Sequence, residues 1–251
     1  MTRNGKKVKM TAVSMLHYIR LAYRSALLVA FLIVYLHYRL HGGEDVETIL
    51  EKRPLIITII WTVFTVEMIQ RFFPSRLESP GSQKQFARNY IRTGSTEIKV
   101  QDNNAVMLVA LIWIAFNGIF GALHMMGILD DGIMILLCCV YSVCDMICIL
   151  FFCPFQTFIM HDKCCVNCRI YDWGHFMMFT PMLFIKSFYS WSLFFMSCIV
   201  LLHWELIYAA HPERFWEGSN KVLKCVNCKD KTCQIKNLLS GKGLKAGVAE
   251  K

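Results

Sequence analysis

An all-α, polytopic membrane helix bundle is the fold class that three features of this chain predict. Hydrophobic residues make up 55 % of its 251 positions and charged residues only 18 %. Several apolar runs reach the roughly 20 residues that cross the ~30 Å hydrocarbon core of a bilayer. Those runs are continuous rather than alternating, which fits helices and not barrel strands. About five spans are expected, and six if the last run folds back. The N-terminal polar region is long and no small-residue cleavage site follows the first run, so no cleavable signal peptide is expected.

The elements follow in order. Arg3, Lys6, Lys7, Lys9 and Arg20 form a basic arm that ends in the amphipathic stretch 10–20. The first span is read at 21–40, with Arg24 and Arg39 near enough to its ends to snorkel. A loop rich in acid (Glu44, Asp45, Glu47, Glu51) comes next, and Pro54, a favoured first-turn residue, starts a second span at 54–73. A polar loop at 74–104 contains the turn Pro80-Gly81-Ser82 and ends in Asp102-Asn103-Asn104. These last residues are N-cap candidates for a third span at 105–129. Ala115, Gly118 and Ala122, with Gly121 beside them, permit close helix packing. Asp130-Asp131-Gly132 turns the chain into a fourth span at 133–153, closed by Pro154. A cysteine loop at 155–175 precedes an apolar run at 176–208, interrupted by Pro181 and Lys186. Residues 212–217 read as a short interfacial helix anchored by Phe215 and Trp216. Segment 209–240 carries further cysteines, and the Gly/Lys-rich end at 241–251 is expected to be disordered.

Orientation follows from Lys and Arg. With the N-terminus in the cytoplasm, the inside segments 1–20, 71–104 and 154–175 carry 5, 6 and 2 basic residues, and the early outside loops carry 2 and 0. This asymmetry predicts a cytoplasmic N-terminus in a bacterial-type inner (cell) membrane. The net charge of +9 is assigned to lipid-facing loops and tail. No interleaved basic and aromatic patch is present, so no nucleic-acid partner is expected. The tail conflicts with a single last crossing, because residues 205–251 hold nine basic residues and would lie outside. A 33-residue run makes about 50 Å of helix, too long for one upright span and too short for two. Either one span begins at Pro181, capped by Thr180, or a re-entrant pair turns near residues 186–190 and returns the tail to the cytoplasm.

The chemistry is expected in the cysteines. Lys163-Cys164-Cys165-Val166-Asn167-Cys168-Arg169 is echoed by Lys224-Cys225-Val226-Asn227-Cys228-Lys229, with Cys233 beyond. Cys-x-x-Cys places two thiolates on one turn, and two such knuckles complete a tetrahedral zinc site. The strict ligand set is Cys165, Cys168, Cys225 and Cys228, with Cys164 and Cys233 as alternates. Four thiolates also hold an iron–sulfur cluster. If the knuckles stand apart, His161 or His175 is a fourth ligand for the first. The basic flanks are expected to lower the thiol pKa values, which equally suits a redox dithiol. Cys138, Cys139, Cys144, Cys148, Cys153 and Cys198 are assigned to packing.

Within the spans lie Glu67, Asn117, Asp145 and Lys186, where ionisable groups are costly and face the bundle interior. Asp145 shares a helix face with Cys138, Tyr141, Cys148 and Phe152. Glu67, Asp145 and His124 form a candidate proton or ion path, or polar ligands of a quinone head group, set against simple pairing of Asp145 with Lys186. The function expected is a membrane protein with a cytoplasmic cysteine-rich centre of zinc or iron–sulfur. With iron–sulfur it would pass electrons between a soluble redox partner and an acceptor in the lipid bilayer. A membrane thiol–disulfide oxidoreductase, or a transporter with a structural zinc clamp, are the alternatives.

Overall fold

A computed structural model describes residues 11–41, 54–94, 102–162 and 164–230, and the backbone of 2–3 and 6–7. Thr2–Arg3 pairs antiparallel with Lys6–Lys7, and the other named elements are all helical. The helices are α1 (Ala12–His41), α2 (Pro54–Gln70), the single turn α3 (Pro80–Gln83), α4 (Asn103–Met125), α5 (Asp131–Leu150), α6 (Gly174–Phe179) and α7 (Phe188–Ala210). Of these, α1, α4, α5 and α7 are long and apolar enough to cross a membrane, and α2 is a shorter apolar helix. Their outward faces carry Leu111, Ile119, Phe195 and Leu202, all well exposed, as a lipid-facing belt requires. The acidic loop 44–51, Lys163, Cys233 and the 241–251 tail lie outside the described residues.

Local signals explain most boundaries. Asp102 caps α4 by accepting from Asn104 N at 2.9 Å, and Asp130 caps α5 by accepting from Ile133 N at 2.8 Å, each satisfying an orphan helix donor. The first helix departs from expectation at its start. It begins at Ala12 rather than near 21, because the stretch 12–20 has a polar face that is buried by the protein. Ser14, His17, Arg20 and Arg24, spaced by three, three and four, are all buried. Arg24 therefore points inward instead of snorkelling, whereas Arg39 is exposed and reaches Asp130 at 3.7 Å.

The apolar run 176–208 is not one span, nor does a helix begin at Pro181. Residues 174–184 form α6 and a 3-10 segment, and Ile185 and Ser187 are extended. Helix α7 starts only at Phe188. The descending piece follows α4: Trp113 Nε1 donates to Thr180 Oγ1 at 3.1 Å, and the Phe184 ring fills the space at Gly121, where a Cβ would meet it at 2.2 Å. Near the turn, the Tyr189 hydroxyl is 3.1 Å from Thr58 Oγ1 at the start of α2. The chain then runs back, so its tail returns to the end of the bundle from which α1 starts. Non-helical backbone at this depth is tolerated because it is buried against α4, α5 and α7.

That shared end is capped by three loops. Thr93 N donates to Ser219 O and Lys221 N to Ile91 O, both at 2.8 Å. Trp204 Nε1 donates to Arg169 O at 2.7 Å, and Arg169 bonds Glu205 at 2.6 Å. Val106, Val109, Cys168, Trp173, Trp204 and Phe215 share one apolar core there. A 3-10 turn over Pro212–Arg214 stands where a short interfacial helix was expected. Its Phe215 is buried against Trp204 and Tyr208 rather than anchored in an interface.

Candidate functional site: a thiol-lined cavity beside a buried charge network

The two Cys-Val-Asn-Cys tetrads fold alike. Each makes a one-turn 3-10 helix, Cys165–Asn167 and Cys225–Asn227. The last cysteine N–H donates to the first cysteine carbonyl, at 3.0 Å and 3.3 Å respectively. Their surroundings differ completely. Cys165 to Cys168 are buried, whereas Val226 is 94 % exposed and Cys225 is exposed.

The first tetrad is held by Lys84. Its ammonium, 1 % exposed, donates to Val166 O at 2.9 Å and Cys168 O at 2.7 Å. It also lies 5.4 Å above the Trp204 ring and 5.2 Å from that of Phe215. Burial pushes the Lys84 pKa down to about 8. The same desolvation pushes the Cys164 thiol up to about 11 and Cys168 well above its ordinary value. Lowered thiol pKa values were expected from the basic flanks, and burial overturns that expectation at Cys164 and Cys168. Arg169 spends its charge on Glu205 and its other arm on Asn103, and the cost of placing a thiolate in apolar surroundings wins.

Cys165 and Cys168 face inward, onto a cavity of about 120 Å³ whose wall also contains Cys144, Cys148 and Cys153. These three, assigned from sequence to packing, thus join the first tetrad. The Cys165 thiol donates to Cys148 O at 3.4 Å and Gln156 Oε1 at 3.3 Å. Gln156 N donates to Cys153 Sγ at 3.4 Å, and the Cys148 and Cys153 thiols hydrogen-bond each other. Trp113, Tyr141 and Phe155 supply ring walls, and Asp145 is the acidic residue on the lining. Cys138 is buried away from the cavity, so packing accounts for it. No disulfide joins the described cysteines.

The strict four-ligand set does not assemble. Cys164 lies close enough to Cys225 to feel its charge, but its neighbour Cys165 turns the other way. Among the described residues no three His, Cys, Asp or Glu side chains converge as a metal site requires. His175 is buried beside Glu67, its Nε2 3.9 Å from Oε2, and His161 is exposed, so neither supplements the first knuckle.

Behind the cavity runs a buried ionic network. Arg24 bonds Glu67 Oε2 and Asp145 Oδ2, each at 2.9 Å. Tyr23 donates to Glu67. Arg20 pairs with Glu78 and lies 3.5 Å from Glu67. Arg71 stands 3.5 Å from Glu78 and 3.2 Å from Asp172. Burial, the largest influence on Glu78, pushes its carboxyl up, yet the Arg20 hydrogen bond and the Arg71 charge together hold it below its ordinary value. Gly174 makes room for this network, since a Cβ there would meet Asp145 Oδ1 at 2.3 Å.

Of the expected intramembrane residues, Glu67 and Asp145 therefore do meet, through Arg24. Lys186 does not pair with Asp145; it is exposed in the break before α7. His124 lies at the far end, 3.2 Å from Asp131, and so belongs to no path with Glu67. Asn117 is buried and accepts from the Tyr141 hydroxyl at 3.2 Å. The arginines were missed as partners, although the three–three–four spacing of Ser14, His17, Arg20 and Arg24 is a readable polar stripe.

The tail is latched by Asp230, 1 % exposed. Ser79 Oγ donates to Asp230 Oδ2 at 2.5 Å, His17 Nε2 lies 3.3 Å from Oδ1, and Ser14 donates to its carbonyl. Comparison with known protein families, curated proteins and solved structures finds no match.

Proposed function

We propose that the protein is a membrane thiol–disulfide oxidoreductase whose working thiols are Cys148, Cys153, Cys165 and Cys168. The observation that carries this reading is the gathering of these four thiols on one cavity wall, with Cys148 and Cys153 already in contact. Oxidation of that pair by a two-electron acceptor breaks two S–H bonds, forms one S–S bond and passes two electrons and two protons to the acceptor. In this reading Cys165, whose thiol lies 3.4 Å from Cys148 O, attacks the resulting disulfide and Cys168 resolves the mixed disulfide, so oxidation passes to the Cys165–Cys168 pair without net change in electrons. A dithiol-bearing soluble partner in the cytoplasm would then re-reduce the Cys165–Cys168 pair and itself become oxidised.

The test is disulfide mapping of the purified protein across glutathione buffers from about −300 to −120 mV, the range of protein dithiols. A reversible Cys148–Cys153 couple is expected, lost in Cys148→Ser and in Cys153→Ser. Four thiols that stay reduced across that range would overturn the reading.

The nearness of Cys164 to Cys225 favours a second, separate role for the outer knuckle. Among the described residues no third thiol joins Cys164 and Cys225 as a metal site requires, so a zinc or iron–sulfur centre here would have to draw in Cys228 and the downstream Cys233 as it binds. Such a centre would tie tail to loop at the cytoplasmic face. Stoichiometric metal that is lost in Cys228→Ser but kept in Cys148→Ser supports this role; metal-free protein after anaerobic purification removes it.

A further inference from the structure

We infer that the thiol-lined cavity is the docking site for the head ring of a lipid-borne oxidant of the quinone class, entering from the bilayer beside Cys144. The inference rests on the thiol–disulfide reading and names its electron acceptor. Size is the first argument. The cavity holds about 120 Å³, close to the ~150 Å³ of an engineered apolar cavity that takes up one benzene ring. Trp113, Tyr141 and Phe155 contribute aromatic rings to its lining, and aromatic rings pack favourably on other rings, edge-to-face or offset.

Access is the second argument. Cys144 lines the cavity yet is exposed on the outer surface of α5. Phe151 and Phe152, which follow on the same helix end, are 38 % and 49 % exposed. Cys144 thus joins the cavity to an apolar stretch of exposed surface, which suits a membrane-soluble molecule and disfavours a charged, water-soluble one that would lose its hydration.

Chemistry is the third. The thiols sit in surroundings that oppose a standing thiolate, so the fitting acceptor takes protons together with electrons. In the step proposed, the Cys148 and Cys153 S–H bonds break and an S–S bond forms. The electron pair and both protons pass to the quinone, whose two carbonyl oxygens become the hydroxyls of a quinol. Asp145 is the carboxylate on the same wall and relays the proton as each thiol ionises.

The experiment uses the full chain in lipid nanodiscs, with a benzoquinone whose ring is fully substituted and cannot alkylate thiols. One quinol per Cys148–Cys153 disulfide is expected, with the rate lowered at least tenfold by Cys144→Trp and by a redox-inert dimethyl ether of the same quinol as competitor. The competitor keeps the test open should the Trp variant not fold. Diamide, a water-soluble dithiol oxidant, is run in parallel on the wild-type protein. If diamide forms the Cys148–Cys153 disulfide and the quinone does not, or if the competitor has no effect, the acceptor is wrong and the dithiol reading survives. If neither oxidant forms that disulfide, both fall.

Discussion

Lys84 holds its ammonium between two carbonyls and two aromatic rings, and its pKa of about 8 against an ordinary 10.5 makes a linkage prediction. Between those values the unfolded chain keeps a proton that the folded chain has released. Stability therefore rises with pH through that window, and the cost of burying the charge is complete below it. At about 1.4 kcal/mol per pK unit the swing is a few kcal/mol. The unfolding midpoint in detergent is expected to climb as pH is raised from 8 to 10, and Lys84→Met to flatten the climb; an unchanged slope in the variant would assign it elsewhere. Gly174 gives a second residue-scale prediction. Its Cβ position lies 2.3 Å from Asp145 Oδ1, and Asp145 is pinned by Arg24, so Gly174→Ala is expected to cost about 1–3 kcal/mol by overpacking. Equal unfolding midpoints for variant and wild type would show that Asp145 can give way.

At the scale of elements, the stripe on α1 and the latch at Asp230 act together. Ser14 and His17 are the α1 residues that hold the tail, and Ser79 completes the site from the loop before α3. Removing the carboxylate in Asp230→Ala leaves His17 and Ser79 without their carboxylate partner while Ser14 keeps the backbone carbonyl, at about 1–3 kcal/mol. Local opening of the tail should rise in proportion, about tenfold per 1.4 kcal/mol. Trypsin cleavage after Lys221 and Lys224 is the readout, and an unaltered cleavage rate would show that the backbone bridge from Thr93 and Ile91 suffices alone. The repeated tetrad teaches the same lesson about context. Identical sequence builds identical turns, while Lys84 and the shared apolar core bury only one of them. That difference was not legible in the tetrad, because it is set by what packs on it.

For the whole molecule, the decisive features are the returning tail and the central Arg24. Impermeant labelling of cysteines placed near residue 5 and at native Cys225 is expected to succeed from one and the same side of the membrane. Labelling from opposite sides would refute the fold-back of 174–187. Arg24→Met should cost roughly 3–5 kcal/mol, since it removes the cation shared by the partly buried Glu67 and Asp145 and leaves Asp145 without its ion pair. Adding Glu67→Gln and Asp145→Asn to it should restore most of that loss, because no unpaired charge is then left. Failure of the triple variant to recover would mean that Arg24 contributes mainly through shape.

Composition and run length by themselves determined the helical class of the fold and the apolar helices α1, α2, α4 and α5, since apolar segments are a local property of the chain. Asp102 and Asp130 marked two helix starts for the same reason: a cap is read from a few adjacent residues. Glu67 and Asp145 were recognisable as interior groups because charge in an apolar helix is costly wherever it points. Their partners were not, since Arg24 reaches them from a helix distant in sequence and its position looked like a membrane edge. Tertiary structure alone decided that the last run folds back, that Cys165 turns inward while Cys164 lies near Cys225, and that Cys144 and Cys148 of α5, with Cys153 just beyond it, share a wall with the first tetrad. The physical reason is common to all of these: which way a thiol points, and whether it can ionise, depends on the surfaces that other segments bring against it.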